Sequence, residues 1–306
     1  MANKHASLDA LFADIADAIR EKTGDSGTIP AVEFPNMIRN KLEVIPPPNP
    51  YLTFSSPSSF TLAVLDGMKL WDGKMEFSTD TETWTEWNGE EISSEVSGDS
   101  NNLYLRGIGN TIILGDDGAE YYWVLTGSGI KCIGNIENLL DYITVASGNH
   151  PTMADRCYYN MFSNCTGLTQ APDLPATTLT EGCYSGMFAG CTGLTQAPAL
   201  PATTLATYCY RRMFRGCTSI TQVPALPATT LTNYCYSMMF YGCTKIKLSK
   251  TRTGEYTVAY RIPTTGTGTT ASSALSSMIT DTGGSFKGTP EINTTYYLSN
   301  TNTVVG

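Results

Sequence analysis

The sequence predicts a multidomain α+β protein: an N-terminal helical segment, a small β-sandwich, and a solenoid of repeats with a C-terminal cap. Three observations predict it. Apolar residues recur at helical spacing over 1–43, short β-like runs between turn residues fill 51–145, and a near-verbatim 26-residue repeat occupies 146–248. A fixed period in this range is the mark of stacked units, each covering its neighbour's apolar face.

The helical segment comes first. Leu8, Leu11, Phe12, Ile15 and Ile19 form one stripe, with Ser7 placed as an N-cap and Gly24 as a stop. Phe34, Met37, Ile38 and Leu42 mark a second, shorter helix. Two such helices cannot bury their stripes alone. Copies in a homo-oligomer, a trimer being favoured, or the following domain would cover them. The run Ile45-Pro46-Pro47-Pro48-Asn49-Pro50 then sets a stiff linker over 44–50.

Strands are expected at Tyr51–Phe54, Phe60–Leu65, Lys74–Ser78, Thr83–Ile92, Leu103–Arg106 and Tyr121–Leu125. Asp72-Gly73, Asn88-Gly89 and Asp117-Gly118 punctuate them as turns. The size and spacing suit a small Ig-like sandwich. Trp84 and Trp87 stand at odd spacing, which sends one into the core and leaves the other on the surface. A pair stacking on a sugar ring is the competing reading.

In the repeats, Cys157, Cys183, Cys209 and Cys235 form one series, and Cys165, Cys191, Cys217 and Cys243 a second. Met161-Phe162, Met187-Phe188, Met213-Phe214 and Met239-Phe240 lie between them. Cys, Met and Cys at i, i+4 and i+8 read as one face of a short helix, buried against the next unit. On such a helix the two cysteines of a unit lie roughly 12 Å apart, beyond disulfide reach. The thiols therefore read as two buried ladders. Prolines at Pro172 and Pro175, Pro198 and Pro201, Pro224 and Pro227 shape the connections. The tail, 249–306, breaks the period, with strands near Tyr256–Ile262 and Tyr296–Leu298 and a helix over Ala271–Ile279. It is expected to cap the exposed end.

Composition excludes several functions. A net charge of −9 argues against nucleic acid as a partner. No run approaches the roughly 18 apolar residues of a membrane helix. Asp9, Asp14 and Asp17 interrupt any secretory leader, so a chain made in the cytoplasm and not exported by the usual route is expected. His5 and His150 are the only histidines and no Cys-x-x-Cys occurs, so neither a metal nor another cofactor is expected. Asp116-Asp117 and Glu90-Glu91 read as hairpin residues, and Gly266-Thr267-Gly268 lacks the lysine context of a phosphate loop. No catalytic set converges, and the chain is not expected to be an enzyme.

The unit Cys183-Tyr184-x-x-Met187-Phe188-x-Gly190-Cys191-Thr192-x-Leu194-Thr195-x-Ala197-Pro198-x-Leu200-Pro201-Ala202-Thr203-Thr204-Leu205 resembles the BspA-like leucine-rich repeats of gut-bacterial surface proteins and phage tail proteins. The resemblance implies a leucine-rich-repeat solenoid. Met75–Asp80, Trp84, Leu103–Gly107 and Gly134–Ile136 look like the module that precedes such repeats. Leu11–Gly24 and Phe34–Ile38 are similar to the N-terminus of minor structural proteins of tailed phages. These resemblances imply a virion protein, a tail fibre or receptor-binding subunit assembled in the host cytoplasm. Its partners would be other tail proteins, through 1–43, and a host-surface protein or glycan. A bacterial cell-surface adhesin is the alternative.

Where near-identical units disagree, function has room. The varying positions are Tyr159, Asn160 and Ser163, then Ser185, Gly186 and Ala189, then Arg211, Arg212 and Arg215, then Ser237, Met238 and Tyr241. On a helix these face away from the cysteines. Tyr208, Arg211, Arg212, Arg215, Tyr234, Met238 and Tyr241 form the candidate ligand-binding set, rich in the Tyr and Arg of interface hot spots. Drift on a solvated face is the competing reading. Thr169-Gln170, Thr195-Gln196 and Thr221-Gln222 form an identical ladder that suits either structure or a repetitive ligand.

Overall fold

The structure, a computed structural model, describes residues 50–67, 69–114 and 121–306. The expected helices over 1–43, most of the proline linker and the Asp117-Gly118 turn lie outside the described residues. In chain order the strands are β1 (Leu52–Ser56), β2 (Thr61–Val64), β3 (Lys74–Ser78), β4 (Thr85–Glu86), β5 (Ile92–Ser93), β6 (Glu95–Ser97), β7 (Ser100–Ile108), β8 (Trp123–Thr126) and β9 (Ile130–Ile133). Helix α1 (Asn138–Ala146) follows. Then come β10 (Leu168–Gln170), β11 (Gln222–Pro224), β12 (Leu248–Ser249), β13 (Tyr256–Arg261), β14 (Thr295–Ser299) and β15 (Thr303–Val305).

This overturns the expected fold class. The described chain is mostly β, in several separate sheets, with α1 the one α-helix among the described residues. It is not an α+β protein carrying a leucine-rich-repeat solenoid. The largest sheet runs β10-β9-β1-β7-β3-β4, with β6 on β7, and a second runs β5-β2-β8. Between them Trp123 meets Phe54 at 6.3 Å and Trp87 at 5.4 Å. Trp87 is 2% exposed and stacks on Trp71, whereas Trp84 is half-buried beneath Arg106. The odd spacing of the two tryptophans thus divides core from surface. Strand β9 was not among the expected strands, and Thr83–Ile92 is mostly turn around Asn88-Gly89.

Strand β10, within the first repeat, pairs in parallel with β9. The β sheets and the repeats share one apolar core, and Pro50–Gly306 is one compact unit.

The segments read as helical turns are not helices. In each unit every fourth residue has positive φ: Arg156, Asn160 and Asn164, then Gly182, Gly186 and Gly190, then Tyr208, Arg212 and Gly216, then Tyr234, Met238 and Gly242. An α-helix cannot contain such residues. The backbone hydrogen bonds divide accordingly. Arg156, Tyr158, Asn160, Phe162 and Asn164 donate N–H across to the carbonyls of Glu181, Cys183, Ser185, Met187 and Ala189, at 2.7–2.9 Å. The alternate residues Tyr159, Met161, Ser163 and Cys165 donate within the unit, three residues back. Each unit is therefore a ribbon of consecutive turns, laddered to the next. A four-residue period and a 3.6-residue period place i, i+4 and i+8 together alike over so short a run, which is why the spacing reads as helix.

The same ribbon recurs in the tail. Ser273, Ser277 and Asp281 have positive φ. Tyr236, Met238, Phe240 and Gly242 donate N–H to Ala274, Ser276, Met278 and Thr280. Ala274, Leu275, Met278, Ile279 and Thr282 occupy the buried places of Cys, Tyr, Met, Phe and Cys. The expected Ala271–Ile279 helix is thus a fifth unit, displaced by the intervening strand β13. It covers the fourth unit as a cap must, and β12, β14 and β13 form a three-stranded sheet beside it.

Inside the stack, Tyr158, Tyr184, Tyr210 and Tyr236 pile ring on ring at 5.5–5.8 Å. Phe162, Phe188, Phe214 and Phe240 do so at 5.6–5.7 Å. All nine cysteines are free and buried. Cys191, Cys217 and Cys243 each donate S–H to the phenylalanine carbonyl of the preceding unit at 2.9 Å.

Two outcomes follow for stability. Truncating Phe214 to Ala breaks a continuous ring stack and should cost about 3–5 kcal/mol in chemical denaturation. Burial pushes the thiols of Cys165, Cys183 and Cys217 up to about 12, and Cys235 to about 11, from an exposed value of 9.0. These groups stay protonated in the folded chain while the unfolded chain ionises. Their contribution is complete below about pH 9 and is lost as pH rises toward 12. Melting temperature should fall steeply over that window, and replacing Cys217 with Ala should make the fall shallower.

Candidate functional site

The candidate site begins with the second unit, whose residues at the varying positions are all small. Ser185, Gly186, Ala189 and Gly190 leave a depression between larger neighbours in the first and third units. The result is a groove of about 470 Å³. One wall is Arg211, Arg212 and Arg215, extended by Tyr241. The other is Tyr159, Asn160, Ser163 and Asn164, with Tyr122 from the strand module.

The floor is fixed by close approach. A Cβ on Gly186 would stand 2.0 Å from Oδ1 of Asn160, and one on Gly190 would stand 2.4 Å from Oδ1 of Asn164. The two asparagine side chains thus lie over the glycine row. Both glycines also have positive φ, at 64° and 74°. Ser185 is buried at 5% exposure and Ser237 at 4%, although a helix would have turned both to solvent.

Among the described residues, three arginines and no carboxylate line this groove, in a chain of net charge −9. The Nε atoms of Arg211 and Arg212 are buried and have no hydrogen-bond partner among the described residues. Burial first, then the charges of Arg211 and Arg215, pulls the Arg212 guanidinium below its ordinary range, against the opposing influence of Tyr159. Arg215 lies over the Tyr241 ring at 5.7 Å. Tyr241 donates its phenolic hydrogen bond to Asp281 of the fifth unit, which raises its own pKa.

The structure gathers four of the seven expected site residues, Arg211, Arg212, Arg215 and Tyr241, on the groove. Tyr208 and Tyr234 stack on each other at 5.1 Å just beyond it, with Arg211 at 5.4 Å from Tyr208. Met238, half-buried at positive φ, does not line the groove. The expected set omitted the opposite wall. Its signal was present in the smallness of the second unit, which only a comparison of volumes between units reveals. Tyr122 lies outside the repeats and Asp281 in the fifth unit, which the 26-residue period does not reach, so neither carried such a signal. The Thr-Gln ladder is built into the structure: Thr169 and Gln170 belong to β10, Gln222 starts β11, and Gln196 bridges Gln222.

Among the described residues, no group of three His, Cys, Asp or Glu could hold a metal ion. Comparison with protein-family models, with curated proteins and with solved structures finds no match to this chain.

The glycine floor makes one quantitative demand. Gly186→Ala should destabilise the fold by about 1–3 kcal/mol through its left-handed backbone and the collision with Asn160. Part of the loss should return in the double variant with Asn160→Gly, measured by chemical denaturation.

Proposed function

We propose that the chain is a binding protein of a phage virion, a tail fibre or receptor-binding subunit, which contacts the bacterial host through the arginine-lined groove. The observation that carries the binding part is the concentration of Arg211, Arg212 and Arg215 beside a depression where no carboxylate lies among the described residues. Arginine and tyrosine dominate interface hot spots, and a concave site lined by a few convergent polar groups is the ordinary form of a ligand pocket. The virion part rests on the similarity of Leu11–Gly24 and Phe34–Ile38 to tail structural proteins and of the repeats to those of phage tail proteins. In this reading segment 1–43 joins the other tail proteins and favours a trimer, and the repeat face meets a host-surface protein or glycan. A bacterial cell-surface adhesin would use the same groove.

Mass spectrometry of purified virions separates these readings, since a tail subunit is found in the particle and an adhesin is not. The triple variant Arg211→Ala, Arg212→Ala, Arg215→Ala should lose at least tenfold in affinity for host cells while keeping its circular dichroism spectrum. Undiminished binding by the folded triple variant would remove the groove as the contact.

A further inference from the structure

We propose that the groove is an oxyanion site centred on Arg212, which takes the phosphate or carboxylate group of a host-surface saccharide. This rests on the host-contact reading above and adds the chemistry of the ligand. The argument comes from what the other units do at the same places. The position of Arg212 is held by Asn160, Gly186, Met238 and Ser277 in the other units, and that of Arg211 by Tyr159, Ser185, Ser237 and Ser276. The ladder there is made by backbone N–H and C=O alone, so the fold asks for no charge.

Arg212 is an expensive choice for the fold. Its φ is 56°, a region that suits Gly and Asn, which fill the equivalent places in the first two units. It stands between two like charges, its buried Nε–H has no hydrogen-bond partner among the described residues, and the residue lines the groove. A buried donor left unpaired costs free energy, and so does a cluster of cations without an anion. An oxyanion seated among the three guanidiniums offsets their like-charge crowding, and the guanidinium fork matches the geometry of phosphate and carboxylate. The facing wall fits the rest of a saccharide. Asn160, Ser163 and Asn164 offer amide and hydroxyl groups, and Tyr122 and Tyr159 offer ring surface and phenols. Tyr241, tied to Asp281, closes one end.

The decisive variant is Arg212→Gly, which copies the residue of the second unit. If Arg212 serves the ligand, Arg212→Gly raises the melting temperature of the unliganded protein and weakens anion binding at least tenfold. If Arg212 serves the fold, the melting temperature falls, and the proposal is overturned. Binding is read by isothermal titration of the full chain with glycerol phosphate, glucuronic acid and uncharged glucose. Heat with either anion but not with glucose supports the site, and the anion that binds identifies phosphate or carboxylate as the source. Equal binding of glucose, or of both anions by Arg212→Gly, overturns it. Should neither anion bind while the triple arginine variant still loses host cells, this proposal fails and the host-contact reading stands. Should an anion bind while virions lack the chain, the virion reading fails and the site stands.

Discussion

Every repeat depends on the requirement that a buried backbone N–H find an acceptor. In these units alternate N–H groups turn inward to a carbonyl three residues back, and the others reach across to the next unit. A left-handed residue at every fourth place makes that division possible. A unit alone leaves half of its donors unmet, so the ribbon is stable only in a stack. The strand module and the fifth unit supply the two flanks, with Trp123 donating to Met161 at one side and Tyr236 to Ala274 at the other.

The cysteines take their place within this constraint. The carbonyl of Phe162 accepts the N–H of Cys165 in its own unit and the S–H of Cys191 in the next. The same arrangement recurs at Phe188 and Phe214. A thiol is small enough for the core and still carries a weak donor, which alanine lacks. The aromatic ladders on either side hold the ring centroids 5.5–5.8 Å apart with planes within 14° of parallel. Structure and energy are thus concentrated at invariant inner positions, and the outer positions are released for other use.

The sequence made the period, the buried Cys, Met and Phe, and the division between Trp84 and Trp87 legible. It also pointed to the arginines. The secondary structure of the units was not legible from apolar spacing, because four residues per turn of ribbon imitates an α-helix over three contacts. Gly182, Gly186 and Gly190 held the distinguishing signal, since three glycines at that spacing disfavour a helix and permit positive φ. The fifth unit stayed hidden because it shares no cysteine or aromatic residue with the others, and because β13 interrupts the count. The groove's far wall was obscured for a different reason. It exists through what the second unit lacks, and a missing side chain leaves no motif.

The hidden fifth unit carries a consequence for how such a protein changes. Its ladder accepts Ala274 and Leu275 where its predecessors have Cys and Tyr, and tolerates an excursion of the chain before it. The requirement on a newcomer is therefore geometric and not one of identity. Units can be gained or lost in whole steps without disturbing their neighbours' hydrogen bonds. Recombination between near-identical repeats produces such steps. One step would slide the arginine row along the depression, or set a second depression beside the first. In the binding role proposed above, specificity would move by register, as a key changes when its teeth are shifted, as well as by substitution.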